Sequence, residues 1–333
     1  MNIGCLRKAA HLAGLDADAR AGVEAAFVAN RRVFEAELAR GTPIIAALEQ
    51  RDLERSLGRD QARMLYLLLA LAQVPVAWQR HQDLGLPQFV SDATLADLGV
   101  WVRHFRQQEQ PLGITLEIFA WTQRYLCGDL LRFGIAQFEP RPFPAPLRVF
   151  RNAVSRELAA FTTDGRHRVD LRNGDLRSRS ATRLGEEWTC VLEPGAPMLE
   201  LHLPAGVTPT FAELARSARL ALTHFTQRSK AVYAGIFGEA WLLDPQLQKL
   251  LRVSPFIAEL SAACALYPST LPEAKTVRRL FGPDVNRAML RSLPRASMTS
   301  LQRAIAQHLS APQAKLQARG GLVLADDLAG LGR

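Results

Sequence analysis

The sharpest periodicity in the chain lies between Met198 and Leu203. Leu199, Leu201 and Leu203 alternate with Glu200 and His202, a period of two that predicts a strand with one apolar and one polar face. Pro204-Ala205-Gly206 ends it. Thr210, three residues ahead of Glu213, opens a helix with a capping box, and Phe211, Leu214, Ala215, Ala218, Leu222 and Phe225 follow at helical spacing. Ala231–Trp241, with Val232, Tyr233, Ile236 and Phe237, predicts a second strand, and Asp244-Pro245 a further helix start. A strand–helix–strand unit with a polar strand face and a loop at a helix N-terminus suits a phosphate-bearing ligand.

The pattern upstream is helical. Residues 17–40 predict an amphipathic helix closed by Gly41-Thr42-Pro43, and residues 43–80 predict helix around the apolar run Met64–Ala72. Asp92 caps a helix with Leu95, Leu98, Trp101, Val102 and Phe105 on one face, and Ile114–Leu126 predicts another. Asp129–Glu139 predicts a strand. Four prolines in the eight residues Glu139–Pro146 mark a connector, so the domain boundary is placed there, giving domains 1–143 and 144–333. Beyond it, Leu147–Phe161 predicts a helix. Residues His167–Leu171 and Asp175–Arg179 predict a hairpin around Asn173-Gly174, and Glu186–Leu192 a third strand. Ser254-Pro255 and the capping box Thr299-Ser300-Leu301-Gln302 predict helix starts, and a Gly-rich, partly extended tail follows Ala311.

Composition narrows the class. With 333 residues, 48% hydrophobic and 22% charged, the chain predicts a soluble globular protein of two domains. The longest apolar run is too short to span a bilayer, and the N-terminus has no apolar segment of a secretory signal, so a cytoplasmic protein is expected, without membrane contact. The four cysteines, Cys5, Cys127, Cys190 and Cys264, show no metal or redox spacing, and Cys127 and Cys190 are expected to be buried structural thiols. The net charge of +9 favours acidic partners: a nucleotide-like cosubstrate, an acidic carrier protein or peptide, or nucleic acid. Nucleic acid is the weakest of these, since aromatic residues do not interleave with the basic ones. Arg166, Arg168, Arg172, Arg177, Arg179 and Arg183 crowd the predicted hairpin, partly offset by Asp164, Asp170 and Asp175. Arg278, Arg279, Arg287, Arg291 and Arg295 form a second basic group. Nucleophile-elbow, phosphate-loop, H-E-x-x-H and paired Cys-x-x-Cys motifs are absent.

Glu200 and His202 are the best acid–base pair in the sequence, because one strand face sends both side chains the same way. Glu239, on the other predicted strand, suits the same cleft. Tyr233 and Tyr267 are candidate proton donors to a sulfur leaving group. Against these stand structural readings: a solvated strand face for the pair, packed aromatics for the tyrosines.

Several pieces, in order, resemble a known family. Leu199-Glu200-Leu201-His202-Leu203-Pro204, Trp241-Leu242-Leu243-Asp244-Pro245, Arg279-Leu280-Phe281-Gly282, Leu293-Pro294 and Thr299-Ser300-Leu301-Gln302-Arg303 resemble a bacterial acyltransferase family with a GNAT-like C-terminal domain. Asp92-Ala93-Thr94-Leu95-Ala96-Asp97, Trp101, Gly113, Trp121 and Arg132-Phe133-Gly134-Ile135-Ala136-Gln137-Phe138 resemble its N-terminal N-acyltransferase domain. The resemblance implies an α/β (α+β) protein of tandem GNAT-like halves, a mixed central sheet flanked by helices, and a helical N-terminal extension. It implies transfer of an acyl group from acyl-CoA or an acyl carrier protein to an amine of a small molecule or peptide. Fatty acylation of a lysine or ornithine side chain in a ribosomal peptide is one variant. No metal and no tightly bound cofactor is required; coenzyme A enters as part of the acyl donor. The pantetheine arm would lie between the strands at 198–203 and 231–241, with phosphates at the following loop. Leu201, Leu203, Pro204, Ala205, Gly206, Val207 and Thr208 are the expected donor-binding residues. That loop lacks the Arg/Gln-x-x-Gly-x-Gly/Ala pattern usual in such folds. The departure leaves open an alternative: a catalytically silent GNAT-like module that binds an acidic protein or peptide.

Overall fold

The computed structural model describes residues 1–39, 53–107, 111–178, 184–204, 206–207, 209–250, 255–282 and 284–331. It divides into two compact units, Met1–Glu139 with Leu203–Thr208, and Pro140–His202 with Pro209–Arg333.

The first unit is built from α1 (Ile3–Leu12), α2 (Ala17–Ala29), α3 (Arg31–Ala39), α4 (Leu53–Leu57), α5 (Arg59–Asp83), α6 (Gln88–Gln107) and α7 (Leu116–Leu126). The apolar run supplies the centre: Leu65, Leu67, Leu68, Leu69 and Leu71 of α5 are buried in one cluster with Leu6, Val23, Phe34, Leu98 and Phe119. Three boundaries differ from the periodicity. The helix expected over 17–40 breaks at Asn30, whose side-chain amide donates to the Ala26 carbonyl at 2.9 Å. Helix α6 starts at Gln88 rather than at Asp92, which lies in its second turn and accepts from Gln88 Nε2 at 2.6 Å. The Gly41-Thr42-Pro43 stop and the start of the helix expected over 43–80 lie outside the described residues.

The single strand expected over Asp129–Glu139 is a hairpin. Strand β1 (Leu131–Phe133) pairs with β2 (Ala136–Pro142) across the two residues Gly134-Ile135. Gly134, at φ 59°, fills the first central position that favours glycine in type II′ turns. The hairpin is tied down by Asp97 of α6, which is 1% exposed. Arg132 Nη1 donates to one Asp97 oxygen, and Gln137 Nε2 to the other at 2.5 Å. Thr94 Oγ1 accepts from the Arg132 backbone N–H at 2.9 Å. Burial pushes the Asp97 carboxyl up, against the pull of Arg132 and Gln137.

The second unit carries two sheets. One is antiparallel throughout, in the order β6 (Asp175–Ser178), β5 (His167–Asp170), β4 (Leu158–Thr162), β3 (Leu147–Asn152), β7 (Trp188–Leu192). Strands β3 and β4 replace the helix expected over Leu147–Phe161. Leu147, Val149 and Arg151 turn inward with period two, and Asn152 makes the turn by accepting from the N–H groups of Val154 and Ser155, both at 2.9 Å. Helix-favouring leucine, arginine and glutamate disguised that alternation. The Asn173-Gly174 turn forms as expected: both N–H groups donate to the Asp170 carbonyl, at 3.1 and 2.7 Å.

The other sheet runs β8 (Pro197–His202), β9 (Gly235–Ala240), β11 (Arg319–Leu324), β10 (Ala265–Pro268), with β2 beyond β8. Strands β8 and β9 are parallel and joined by α8 (Phe211–Ser229), which has the expected capping box at Thr210 and Glu213. β9 starts at Gly235, four residues later than expected, because Lys230 ends α8 in the left-handed conformation. A 3₁₀ turn, Trp241–Leu243, precedes Asp244, so the next helix, α9 (Leu247–Leu250), begins beyond Pro245. Asp244 instead accepts from the backbone N–H groups of Gln246 at 2.9 Å and Gln317 at 2.7 Å. The chain continues through α10 (Pro255–Ala263), α11 (Glu273–Phe281), α12 (Ser300–Leu309), capped by the expected box at Thr299 and Gln302, and α13 (Ala325–Leu328). The two sheets share a core that includes Phe143, Val149, Ala160, Val169, Met198, Phe237, Tyr267 and Leu322. The fold is mixed α/β with a helical N-terminal region.

Removing the Asp97 carboxylate strands a mostly buried guanidinium. Asp97→Ala is expected to lower unfolding free energy by about 3–5 kcal/mol in denaturant titration; a change below about 1 kcal/mol would show that Arg132 finds water instead.

Candidate active site

Ladder register puts the candidate groups on one sheet face. Glu200 is opposite Phe237, Phe237 is opposite Leu322, and Glu239, Gly320 and Tyr267 stand abreast on β9, β11 and β10. Residues paired across a ladder point the same way, as do residues two apart on a strand. Met198, Glu200, His202, Phe237, Glu239 and Tyr267 therefore share a face. Met198, Phe237 and Tyr267 belong to the core between the sheets. Glu200, His202 and Glu239 continue that face as its polar end, each half-buried.

The pair expected from the alternation forms: His202 Nε2 lies 3.6 Å from Glu200 Oε1. Arg141 Nε lies 3.8 Å from the other Glu200 oxygen. Ser269 Oγ donates to Glu239 Oε2 at 2.7 Å. The ladder between β8 and β9 pairs Leu199 with Ile236 and Glu200 with Phe237. Both strands run on from there, to His202 and Ala240.

Residues 130–323 match the family described as GNAT-like C-terminal domain, and residues 6–128 that described as N-acyltransferase N-terminal domain. The chain belongs to this N-acyltransferase family. Among solved structures it is similar to an acyltransferase in complex with decanoyl-CoA and teicoplanin: TM-score 0.64, 21% identity, 96% of this chain and 87% of that one covered. An acyltransferase in complex with CoA and 10C-teicoplanin is similar over 81% of this chain and 68% of that one, at TM-score 0.55 and 23% identity. At such identities the likeness is one of fold. No curated protein sequence matches. Among the described residues no helix is long and apolar enough to cross a membrane.

Within the GNAT-like domain the two tyrosines part company. Tyr233 sits ahead of β9, its hydroxyl 3.2 Å from Ser229 Oγ and its ring against Phe225. The neighbouring Ala234 N–H donates to the Pro197 carbonyl at the start of β8. At about 3.3 Å per residue, Tyr233 is roughly 13 Å along the sheet from Phe237, which faces Glu200. Tyr267 is the one brought to the polar end. Of the expected donor-binding residues, Leu201 is half-buried in β8, Leu203 and Pro204 follow it, and Gly206 is exposed at φ 71° beside Val207. Ala205 and Thr208 lie outside the described residues. The capping box already uses two donors of this region: Thr210 N–H binds Glu213 Oε2 at 3.0 Å, and Glu213 N–H binds Thr210 Oγ1 at 3.2 Å.

Alternation pointed to Glu200 and His202, but Arg141, Ser269 and Gly320 went unnoticed. Arg141 falls in the proline run read as a connector, and Ser269 and Gly320 reach the site only through cross-strand pairing. The hairpin's acids are partly engaged: Asp170 accepts from Arg172 and Arg177 at 3.1 and 2.5 Å, and Asp175 from Arg319 of β11 at 2.7 Å. Arg179 and Arg183 lie outside the described residues. In the second basic group Arg287 is taken by Glu273 at 2.9 Å and Arg291 by the Ser310 carbonyl at 2.7 Å.

The cysteines need a correction. Cys127 is exposed at the end of α7 rather than buried, and Cys190 is partly exposed, its Sγ 3.7 Å from Glu193 Oε1. Burial, then Glu193, raises the Cys190 thiol. Burial pushes the Cys264 thiol up to about 12. At pH 8 roughly one Cys264 in ten thousand is then thiolate, against about a quarter for an ordinary thiol. Iodoacetamide at pH 8 is expected to modify Cys5 and Cys127 quickly and Cys264 only after unfolding, read by peptide mass spectrometry.

Proposed function

We propose that this chain is an N-acyltransferase that moves an acyl group from acyl-CoA, or from the phosphopantetheine of an acyl carrier protein, to an amine of a small molecule or peptide. The observation that carries the reading is the Glu200–His202 pair, on the face of β8 next to the end of its ladder with β9. Family membership supplies the reaction class. Two structural neighbours are complexes with decanoyl-CoA and teicoplanin and with CoA and 10C-teicoplanin, which supports an acyl thioester donor and an acceptor other than water.

An alkyl ammonium, with an ordinary pKa near 10.4 for lysine, cannot attack a thioester until it loses a proton. His202 takes that proton, with the Glu200 carboxylate beside it facing the imidazolium and Arg141 beside the other Glu200 oxygen. The amine nitrogen then attacks the thioester carbonyl, a tetrahedral oxyanion forms, and its collapse breaks the carbon–sulfur bond. The thiolate leaves readily, because a thiol is already fairly acidic, at about 8.5. The nitrogen sheds a second proton as the amide forms; of the two protons one ends on the released thiol and the other passes to solvent, which balances the reaction. Glu239, held by Ser269, adds negative charge that favours a cationic acceptor. The donor phosphates are assigned to the loop that opens α8, Gly206–Thr210.

A second reading, a silent module for an acidic partner, draws on the same loop, where the capping box takes up two N–H donors. Thiol release from acyl-CoA in the presence of an amine separates the two. Turnover is expected for the wild type, and Glu200→Gln or His202→Ala should lower kcat by about a hundredfold to ten-thousandfold with donor affinity kept. Near-wild-type turnover of the double variant across pH would assign the pair a structural role.

The donor site has its own test. Acyl-CoA is expected to slow amide hydrogen exchange in Gly206–Thr210. Protection confined to residues 1–128 would move donor binding to the N-terminal domain.

A further inference from the structure

The polar end of the sheet contains a group that the proposed reaction does not yet use. Tyr267 is 0% exposed, and its hydroxyl is buried without a hydrogen-bond partner. The ring packs edge-on against Phe143, with centroids 5.5 Å apart. It also lies flat over Gly320: a Cβ built there would fall 2.1 Å from both Cε2 and Cζ. Gly320 is the residue between Tyr267 and Glu239 in the ladder row. A side chain of any size at 320 would stand where the ring now leans from β10 across β11 towards β9. The missing Cβ thus carries the hydroxyl towards the carboxylates.

We propose that the Tyr267 hydroxyl, seated by Gly320, is a fixed hydrogen-bond donor to the oxyanion that develops at the thioester carbonyl. The proposal rests on the acyl-transfer reading above and assigns that site its charge-stabilising group. Three observations converge on it. The hydroxyl is the kind of buried, unpartnered donor that native structures rarely retain without a use. It lies at the same end of the same sheet face as the Glu200–His202 pair. Its burial, with Glu239 and then Glu200 nearby, pushes the phenol well above its ordinary range, so it stays protonated at every working pH. Such a phenol is a poor proton donor to a thiolate. It remains a good hydrogen-bond donor. Preorganised donors of this kind stabilise charge without reorientation during the reaction.

The experiment combines unfolding with thiol release from two donors, acyl-CoA and an aryl thioester of the same acyl chain. Tyr267→Phe should keep or raise Tm, because the hydroxyl has no protein partner to lose. It should lower kcat by roughly a hundredfold, by a similar factor with either donor, because the oxyanion forms in both. A fall in Tm would show that the hydroxyl is held by the protein and overturn the proposal. Recovery of the rate with the aryl thioester would overturn it too, by making Tyr267 a proton donor to sulfur. The seat is tested by Gly320→Ala. It should lower Tm in the wild-type background and cost little in a Tyr267→Leu background, where no ring occupies the space. Equal costs in both backgrounds would remove Gly320 from the argument. A wild type that binds acyl-CoA but releases no thiol with any amine tried would remove the acyl-transfer reading and the proposal with it. Loss of the reading is told apart from failure of Tyr267 alone, in which the wild type turns over and Tyr267→Phe matches it.

Discussion

Phe143 stands edge-on to both Phe237 and Tyr267, with ring centroids 5.9 and 5.5 Å away. Aromatic pairs in this arrangement bury large apolar areas and also set a preferred angle between rings. Here the contact fixes which face of the β8–β9–β11–β10 sheet turns towards the second sheet. Strand side chains alternate, so once Phe237 and Tyr267 point inward, Glu239 must share their face, and the ladder extends the same demand to Glu200 and His202. A one-residue slip of β9 against β11 would send Glu239 to the opposite face. The placement of Glu200, His202 and Glu239 thus depends on an apolar contact that none of them makes.

That arrangement puts charge at the edge of a core, where burial of an unpaired ion is costly. Each carboxylate at the polar end has a neighbour that offsets the cost. Glu200 has His202 and Arg141 nearby, and Glu239 has the Ser269 hydroxyl. The β10 strand contributes twice, through Tyr267 itself and through Ser269 just beyond it. Its position is in turn held from the other sheet. Leu266 N–H donates to the Leu171 carbonyl at 2.7 Å, and Arg319 reaches the Asn173 carbonyl and Asp175. The hairpin arginines Arg172 and Arg177 pair with Asp170 while staying exposed, so the basic face persists.

The N-terminal domain solves a related problem differently. Asp97 is buried outright, and its two oxygens are answered by Arg132 and Gln137 from a single hairpin. The charge is matched by a charge-assisted hydrogen bond and a neutral one, on a motif whose turn is set by Gly134. Residues that resemble the family's first domain at Asp92–Asp97 and Arg132–Phe138 are in this light parts of one fastening between α6 and β1–β2.

The local pattern was enough for the strand at 198–203, the capped helix after it, the capping box at Thr299 and the turn at Asn173-Gly174, because alternation, caps and turn residues act within a few positions of the chain. It was enough to put Glu200 and His202 on one strand face as well, since that needs no knowledge of the rest. It misread Leu147–Phe161, where side chains that favour helices occupy two antiparallel strands stabilised by partners 7 to 43 residues away. It had no means to choose between Tyr233 and Tyr267, because that choice depends on which end of the sheet each occupies. Nor could it see Ser269 or Gly320, which meet Glu239 and Tyr267 only when β10, β11 and β9 lie side by side. Short-range chemistry was legible in the order of residues; the company each residue keeps across a ladder was settled only by folding, because non-local pairing leaves no period in the sequence.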